Sequence, residues 1–194
     1  MKVALPTRVV KRGAALVHVS RTQYARMPFY FGSASNRYDD PAGRYGVLYT
    51  AFNLPTALME SLFHSHEWSA APGRVVNTNE IDERLVRHLG VLEPLAVLDL
   101  TQEGVMAGRF GLNLEQLSGR DYTHTRRIAL MAHREPDIDG IVYPSRNNFP
   151  GTCLALFDRC RDKVASVVDI PLPQHPGWPS FMEQYRIRSD ASQT

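Results

Sequence analysis

A chain of 194 residues with 22 basic and 20 acidic side chains, a formal net charge of +2, has the size of one domain and lacks the concentrated positive field of a nucleic-acid surface. Apolar residues at 43% and charged residues at 22% fit a globular protein and exclude a disordered chain. No apolar run reaches the roughly 18 residues that cross a bilayer, so no membrane span is expected.

In chain order, "MKVALPTRVVKRGAALVHVS" interrupts its apolar residues with Pro6, Arg8, Lys11 and Arg12, which makes a poor signal peptide, and the expected location is the cytoplasm. "AALVHVSR" predicts a strand ending at Arg21, and "YGVLYTAF" a short buried strand. In "NLPTALMESLFH" Asn53 is the expected N-cap, because its side-chain oxygen accepts a free backbone N–H, and Pro55 needs no donor in the first turn. The helix therefore starts near Leu54. Leu54, Ala57, Leu58, Ser61 and Leu62 form its core-facing stripe and leave Glu60 on the flank.

"PLAVLDLT" predicts another strand, "LNLEQLSG" a short helix stopped by Gly119, and "DYTHTRRIALMAHRE" a longer helix with Asp121 as cap. "DGIVYPSR" and "CLALFD" are strands separated by the turn "NNFPGT", and "ASVVDIPL" is a further strand. The Pro-rich "PLPQHPGWPS" and the polar "RSDASQT" read as soft regions. The expected fold is a mixed α/β, or α+β, single domain over 1–180 with a C-terminal tail over 181–194, without regular βαβ alternation. "TRRIALMAHR" and "RCRDK" concentrate basic residues but read as a helix face and a solvated loop. Cys153 and Cys160 fit neither a C-x-x-C spacing nor a disulfide frame and are expected as reduced thiols.

The chemistry-bearing residues narrow the choice. Glu60, His64, His66 and Glu67 crowd "ESLFHSHEW" but do not form H-E-x-x-H; on a helix Glu60 and His64 share a face while His66 points away, so no metal site is expected. Ser145 in "YPSRN" lacks the G-x-S-x-G elbow of a serine hydrolase. No Gly-rich phosphate loop is present, so nucleotide phosphates would have to be held by arginine side chains, whose planar forks match phosphate oxygens. Arg21, Arg37, Tyr49 and Glu60 together describe a cleft of two cations, an aromatic wall and one acid.

Three segments resemble the RES family, named for an arginine, a glutamate and a serine in its motifs. "VHVSR" is similar to the opening strand ending in arginine. "FYFGSASNRYDDPAGRYGVLYTAFNLPTALMES" is similar to the family's G-R-W, L-Y and A-x-x-E run. "DIDGIVYPSRNNFPGTCLALFD" is similar to its serine-bearing segment. The resemblance implies an ADP-ribosyltransferase-like fold that binds NAD, with the family arginines at Arg21 and Arg37, the strand tyrosine at Tyr49, the glutamate at Glu60 and the serine at Ser145.

Many members are toxins that consume NAD by hydrolysis or phosphorolysis under the restraint of a helix-turn-helix (Xre-type) antitoxin, and a few ADP-ribosylate a target. The resemblance therefore implies NAD as substrate, inorganic phosphate as a candidate co-substrate and an antitoxin as partner. A transferase with a macromolecular or small acceptor and a non-catalytic binding module are the alternative readings. Asn36 and Tyr38 stand where the family often has Gly and Trp, and Thr22 where some members have a tyrosine that Tyr24, Tyr30 or Tyr38 would replace. The segment 102–122 has no assigned role.

The expected roles follow from the bond to be broken. As the nicotinamide–ribose bond lengthens, positive charge grows on the ribose, and a carboxylate at Glu60 stabilises it. Nicotinamide leaves as a neutral ring, so one carboxylate suffices. Arg21 and Arg37 would grip the phosphates, Tyr49 would offer a ring face or hydroxyl, and Ser145 would bind ribose or position Glu60.

Overall fold

Period-two alternation in the strands sends successive side chains to opposite faces, and in this chain both faces are apolar. The computed structural model describes residues 5–25, 29, 35–64 and 73–190. In order, these form β1 (Thr7–Val10), β2 (Ala15–Arg21), β3 (Val47–Ala51), α1 (Leu54–Ser61), β4 (Arg74–Asn77), α2 (Thr78–Asp82), β5 (Arg84–Val91), β6 (Leu95–Asp99), α3 (Leu114–Ser118), α4 (Thr123–His133), β7 (Gly140–Pro144), β8 (Thr152–Phe157), β9 (Val164–Pro171), α5 (Trp178–Gln184) and β10 (Ile187–Asp190). The large sheet has eight strands in the order β1-β6-β7-β8-β3-β2-β5-β9, and β10 pairs with β4 in a two-stranded sheet. Within the large sheet the β6–β7 pair is parallel and the other described pairs are antiparallel. This is the expected α+β domain of mixed sheet and flanking helices.

On one face Val17, Val47, Ile141, Ala155 and Phe157 pack with α1, α4 and α5 residues such as Leu58, Ile128 and Phe181. On the other, Leu16, Leu48, Val142, Leu154 and Leu156 close a second apolar layer. Each strand residue fully withdrawn from water contributes on the order of 1.5–3 kcal/mol, and the two layers hold the central strands from both sides.

One strand pair departs from this regularity. β2 is paired with β5 along its full length, Ala15 opposite Gly90 to Arg21 opposite Arg84, and β3 with β8 from Val47 opposite Phe157 to Ala51 opposite Cys153. Between β2 and β3 the ladder is reduced to Val17 opposite Ala51. The strands part there, and backbone groups released from the ladder need other partners. His18 supplies one through its Nδ1, 2.7 Å from the Tyr49 carbonyl oxygen.

The helix after β3 starts where its capping residues dictate. The Asn53 side chain accepts from the Thr56 N–H at 2.9 Å, with Pro55 in the first turn, a cap worth about 1 kcal/mol. Ala57, Leu58 and Leu62 are buried as expected, but Leu54 and Ser61 are half-buried, and Thr56 and Met59 take places in the core. The short α3 carries a capping box between Asn113 and Gln116 and ends at Gly119. Asp121 does accept from the Thr123 N–H, at 2.9 Å, although the cap position itself is Tyr122.

The C-terminal region differs from the expected tail. The Pro-rich stretch ends in α5, which buries Trp178 and Phe181, and β10 lies parallel to β4 with Ile187 opposite Arg74. Pro179 sits in the first turn of α5, where its missing N–H has no partner to lose, so the prolines that signalled softness begin a helix instead. Both cysteines are free and buried, as expected.

Candidate functional site

A cleft opens where β2 and β3 part. Its lining includes His18 and Tyr49 from the two strands, Glu60 from α1, Arg37, Tyr122 ahead of α4, and Arg146 after β7. Glu60 lies on the flank of α1, away from the buried Leu58 and Leu62, as the stripe requires.

The Glu60 carboxylate is held asymmetrically. The Ser145 hydroxyl donates to Oε1 at 2.7 Å, and the Asn147 backbone N–H donates to the same oxygen at 3.0 Å. Oε2 has no hydrogen-bond donor among the described residues. A hydroxyl has one proton, and that of Ser145 is committed to Glu60, so the oxygen is left to accept the Asn148 N–H at 3.0 Å. Ser145 is therefore placed to orient the acid. Its backbone N–H reaches the Gly151 carbonyl at 2.8 Å, which ties the turn between β7 and β8 into the same arrangement.

Arg37 is 8% exposed, and its Nε and Nη1 are buried without a protein acceptor among the described residues. Nη2 makes a long contact of 3.4 Å with the Ser118 carbonyl, and the guanidinium lies 5.9 Å from the Tyr122 ring centroid and 6.0 Å from that of Tyr143. A buried cation with donors left over costs about 1–3 kcal/mol for each unmet group, and an oxyanion is the partner whose geometry satisfies such a fork. The backbone around Arg37 is pinned: Thr125 Oγ1 donates to the Arg37 carbonyl at 2.7 Å, and the Asn36 N–H donates to Asp39 at 3.0 Å.

Tyr49 is among the residues that line the cleft, and its hydroxyl is occupied. It donates to Asp39 Oδ1 at 2.9 Å and accepts the Tyr38 N–H at 2.9 Å. Burial, followed by the neighbouring Asp39 charge, pushes the phenol well above its ordinary range. Of the two uses expected for Tyr49, the hydroxyl is already committed to Asp39 and Tyr38. His18 has its pKa lowered from 6.5 to about 4, chiefly by burial, so its imidazole is neutral at physiological pH. Since a carbonyl only accepts, Nδ1 carries the proton that bonds to Tyr49.

The structure does not bring Arg21 to this lining. It is exposed at the end of β2, directly opposite Arg84 of β5. Tyr38 is fully buried against Tyr143, with ring centroids 4.7 Å apart, so it offers no stacking surface, and Tyr24 is exposed. Tyr30 lies outside the described residues, as do His66 and Glu67 of the metal candidate. His64 Nδ1 bonds to the Ser61 carbonyl at 2.7 Å, and no group of three or more metal-binding side chains occurs among the described residues.

Sequence reasoning missed several contributors. The segment 102–122 reaches the cleft at its end: Tyr122 lines it, and the Ser118 carbonyl at the end of α3 receives Arg37 and, at 3.1 Å, Arg146 Nη1, while Arg146 Nη2 reaches the His64 carbonyl at 2.7 Å. Arg146 thus links the ends of α1 and α3, where helix C-termini favour a cation. Its place directly after Ser145 was the available signal. Asn147 and Asn148 act partly through backbone N–H groups, which no residue pattern announces.

Comparison with known proteins identifies the family and the fold. The RES domain matches residues 15–179. Among solved structures, a chain of the M. tuberculosis MbcT-MbcA toxin-antitoxin complex is similar with a TM-score of 0.67 at 14% identity, over 92% of this chain and 91% of that one. At that identity the likeness shows a shared fold and nothing more. No curated protein matches in sequence at a significant level. The RES match runs from β2 through the strand–helix unit bearing Tyr49 and Glu60 to the turn bearing Ser145 and beyond, and the chain belongs to the RES domain family.

Proposed function

We propose that this protein is an NAD-consuming enzyme of the toxin type, which breaks the nicotinamide–ribose bond in the cleft between β2 and β3. The observation that carries the reading is the pairing of a half-held carboxylate with a buried, under-satisfied cation: Glu60 with Oε2 open, and Arg37 with two nitrogens, Nε and Nη1, lacking a protein acceptor among the described residues.

The C1′–N bond breaks with its electron pair passing to the nicotinamide ring, which leaves neutral, and positive charge develops on the ribose. Glu60 stabilises that charge through Oε2 while Ser145 and Asn147 keep Oε1 fixed, so reorientation is completed before reaction. Arg37 takes a phosphate oxygen of the anionic substrate, and the Tyr49 ring gives the sugar or nicotinamide an apolar wall. An oxygen nucleophile, water or inorganic phosphate, then bonds to C1′; water loses a proton in the process. Arg21, at the outer end of β2, remains a candidate contact for the distal part of the dinucleotide. No step calls for a metal.

The similar solved structure is a toxin-antitoxin complex, which supports an antitoxin partner for this chain; a helix-turn-helix class for that partner and cytoplasmic NAD as the substrate pool are parts of the same proposal. Incubation with NAD, with and without phosphate, and separation of nicotinamide, ADP-ribose and phosphorylated ADP-ribose tests the reading. Glu60-dependent release of nicotinamide is expected, and the second product names the acceptor. Label retained on a macromolecule would point to a transferase. No release from folded protein free of inhibitor would remove the enzymatic reading.

A further inference from the structure

We propose that Asn148, held in place by Tyr185 at the C-terminal end of α5, is a positioning residue for the Glu60 carboxylate; this rests on the proposed catalytic role of Glu60. The chain of contacts is continuous. Tyr185 OH donates to Asn148 Oδ1 at 2.6 Å, Asn148 Nδ2 bonds to Thr56 Oγ1 at 2.9 Å, and the Asn148 N–H donates to Ser145 Oγ at 3.0 Å. Ser145 in turn donates to Glu60 at 2.7 Å.

An asparagine suits this position because its amide offers a donor and an acceptor on one rigid plane. The donor end grips α1 at Thr56, four residues before Glu60 and hence on the same side of the helix. The acceptor end is claimed by the Tyr185 phenol. The 145–148 turn is thereby fixed against the helix that carries the acid, and the two donors aimed at Oε1 are fixed with it. Gly151 shows how little slack remains: a Cβ there would lie 2.4 Å from Thr56 Oγ1 and 2.7 Å from the Asn148 carbonyl oxygen.

Tyr185 is itself held by stacking. Its ring centroid is 4.5 Å from that of Phe181, which stacks on Trp178 at 5.7 Å and tilts against Phe63, just beyond α1, at 5.7 Å. The aromatic run docks α5 on the end of α1 and delivers one phenol to one amide. Tyr185 lies beyond the 15–179 stretch matched by the RES domain, so the phenol of this brace comes from a part of the chain outside the matched domain.

An interaction of this kind acts on orientation in the transition state more than on substrate binding, because Arg37 and Tyr49 are held by other elements. The test is steady-state NAD turnover for Tyr185→Phe, Asn148→Ala, the double variant and Glu60→Gln, with urea unfolding as a check on folding. Tyr185→Phe is expected to lower kcat about 3- to 10-fold and Asn148→Ala about 10- to 100-fold, each with KM within about twofold of wild type. The double variant is expected to match Asn148→Ala, since Tyr185 acts only through that amide.

Unchanged kcat in Tyr185→Phe and Asn148→Ala, with Glu60→Gln inactive, overturns the brace and leaves the function intact. A rise in KM alone, or additive losses in the double variant, also overturns it. Wild-type turnover by Glu60→Gln removes the catalytic reading on which the brace depends. Should Asn148→Ala fail to fold, Tyr185→Phe, which removes a single hydroxyl, decides the question by its kcat.

Discussion

His18 gives the protein an acid-sensitive joint at the parting of β2 and β3. Its ring is 4% exposed, and burial is the main cause that lowers its pKa from 6.5 to about 4, opposed by its bond to the Tyr49 carbonyl and reinforced by the Arg87 charge. Between those two values the unfolded chain binds the proton that the folded chain refuses, so stability is fully present above about pH 6.5 and falls as the pH drops toward 4. At pH 5 the two-pKa linkage gives a loss of roughly 2 kcal/mol, a large share of a typical domain's 5–15 kcal/mol. His133 and His175 also have lowered pKa values, chiefly from burial, and add in the same direction, so the contribution of His18 must be read as a difference. His18→Asn keeps a donor near the Nδ1 position and cannot take up a proton. Urea unfolding at pH 7.5 and pH 5 should show wild type losing roughly 2 kcal/mol more than His18→Asn. Equal losses would refute the argument that a neutral, buried His18 holds the strands at their split.

Gly151→Ala should destabilise the protein by about 1–3 kcal/mol, as overpacking does, because its new methyl would meet Thr56 Oγ1 and the Asn148 carbonyl oxygen; a thermal melt with no shift would show that the turn has room to move. In Tyr49→Phe the Asp39 carboxylate and Tyr38 N–H lose a partner, and a cost of about 1–3 kcal/mol in unfolding is expected. NAD turnover by the folded variant should stay within a few-fold of wild type, whereas its collapse would give the hydroxyl a chemical role.

The legible parts of this molecule were those fixed by local chemistry. Asn53 and Pro55 set the start of α1, and that start fixed which side of the helix Glu60 occupies. The apolar strands at 47–51, 140–144 and 152–157 stood out because both of their faces are buried. β5 was hidden: its "RLVRHLGV" carries Arg87 and His88 in the sheet, and these are tolerated through long-range partners. Arg87 is paired to Asp169 at 2.9 Å, and His88 meets His175 at 2.9 Å.

The site divides in the same way. Tyr49 and Glu60 share the strand–helix unit, Ser145 reaches Glu60 from the turn packed on it, and Arg37 joins them from the loop ahead of β3 that Thr125 of α4 pins. Arg21 belongs to the same strand as His18, yet its position three residues further along places it opposite Arg84, away from the cleft lining. The role of the 102–122 segment depends on a backbone carbonyl at Ser118, and that of α5 on a single phenol, neither of which shows as a pattern in one sequence.

The central claim is that Glu60 acts on the transition state of nicotinamide–ribose cleavage. Glu60→Gln preserves shape and can still accept from Ser145 and Asn147 while removing the charge. Its NAD turnover, measured beside its NAD affinity, is the most direct test. A fall in kcat of about 100-fold or more with affinity changed by less than about threefold is the predicted result. Wild-type turnover, or a loss confined to affinity, would contradict the account.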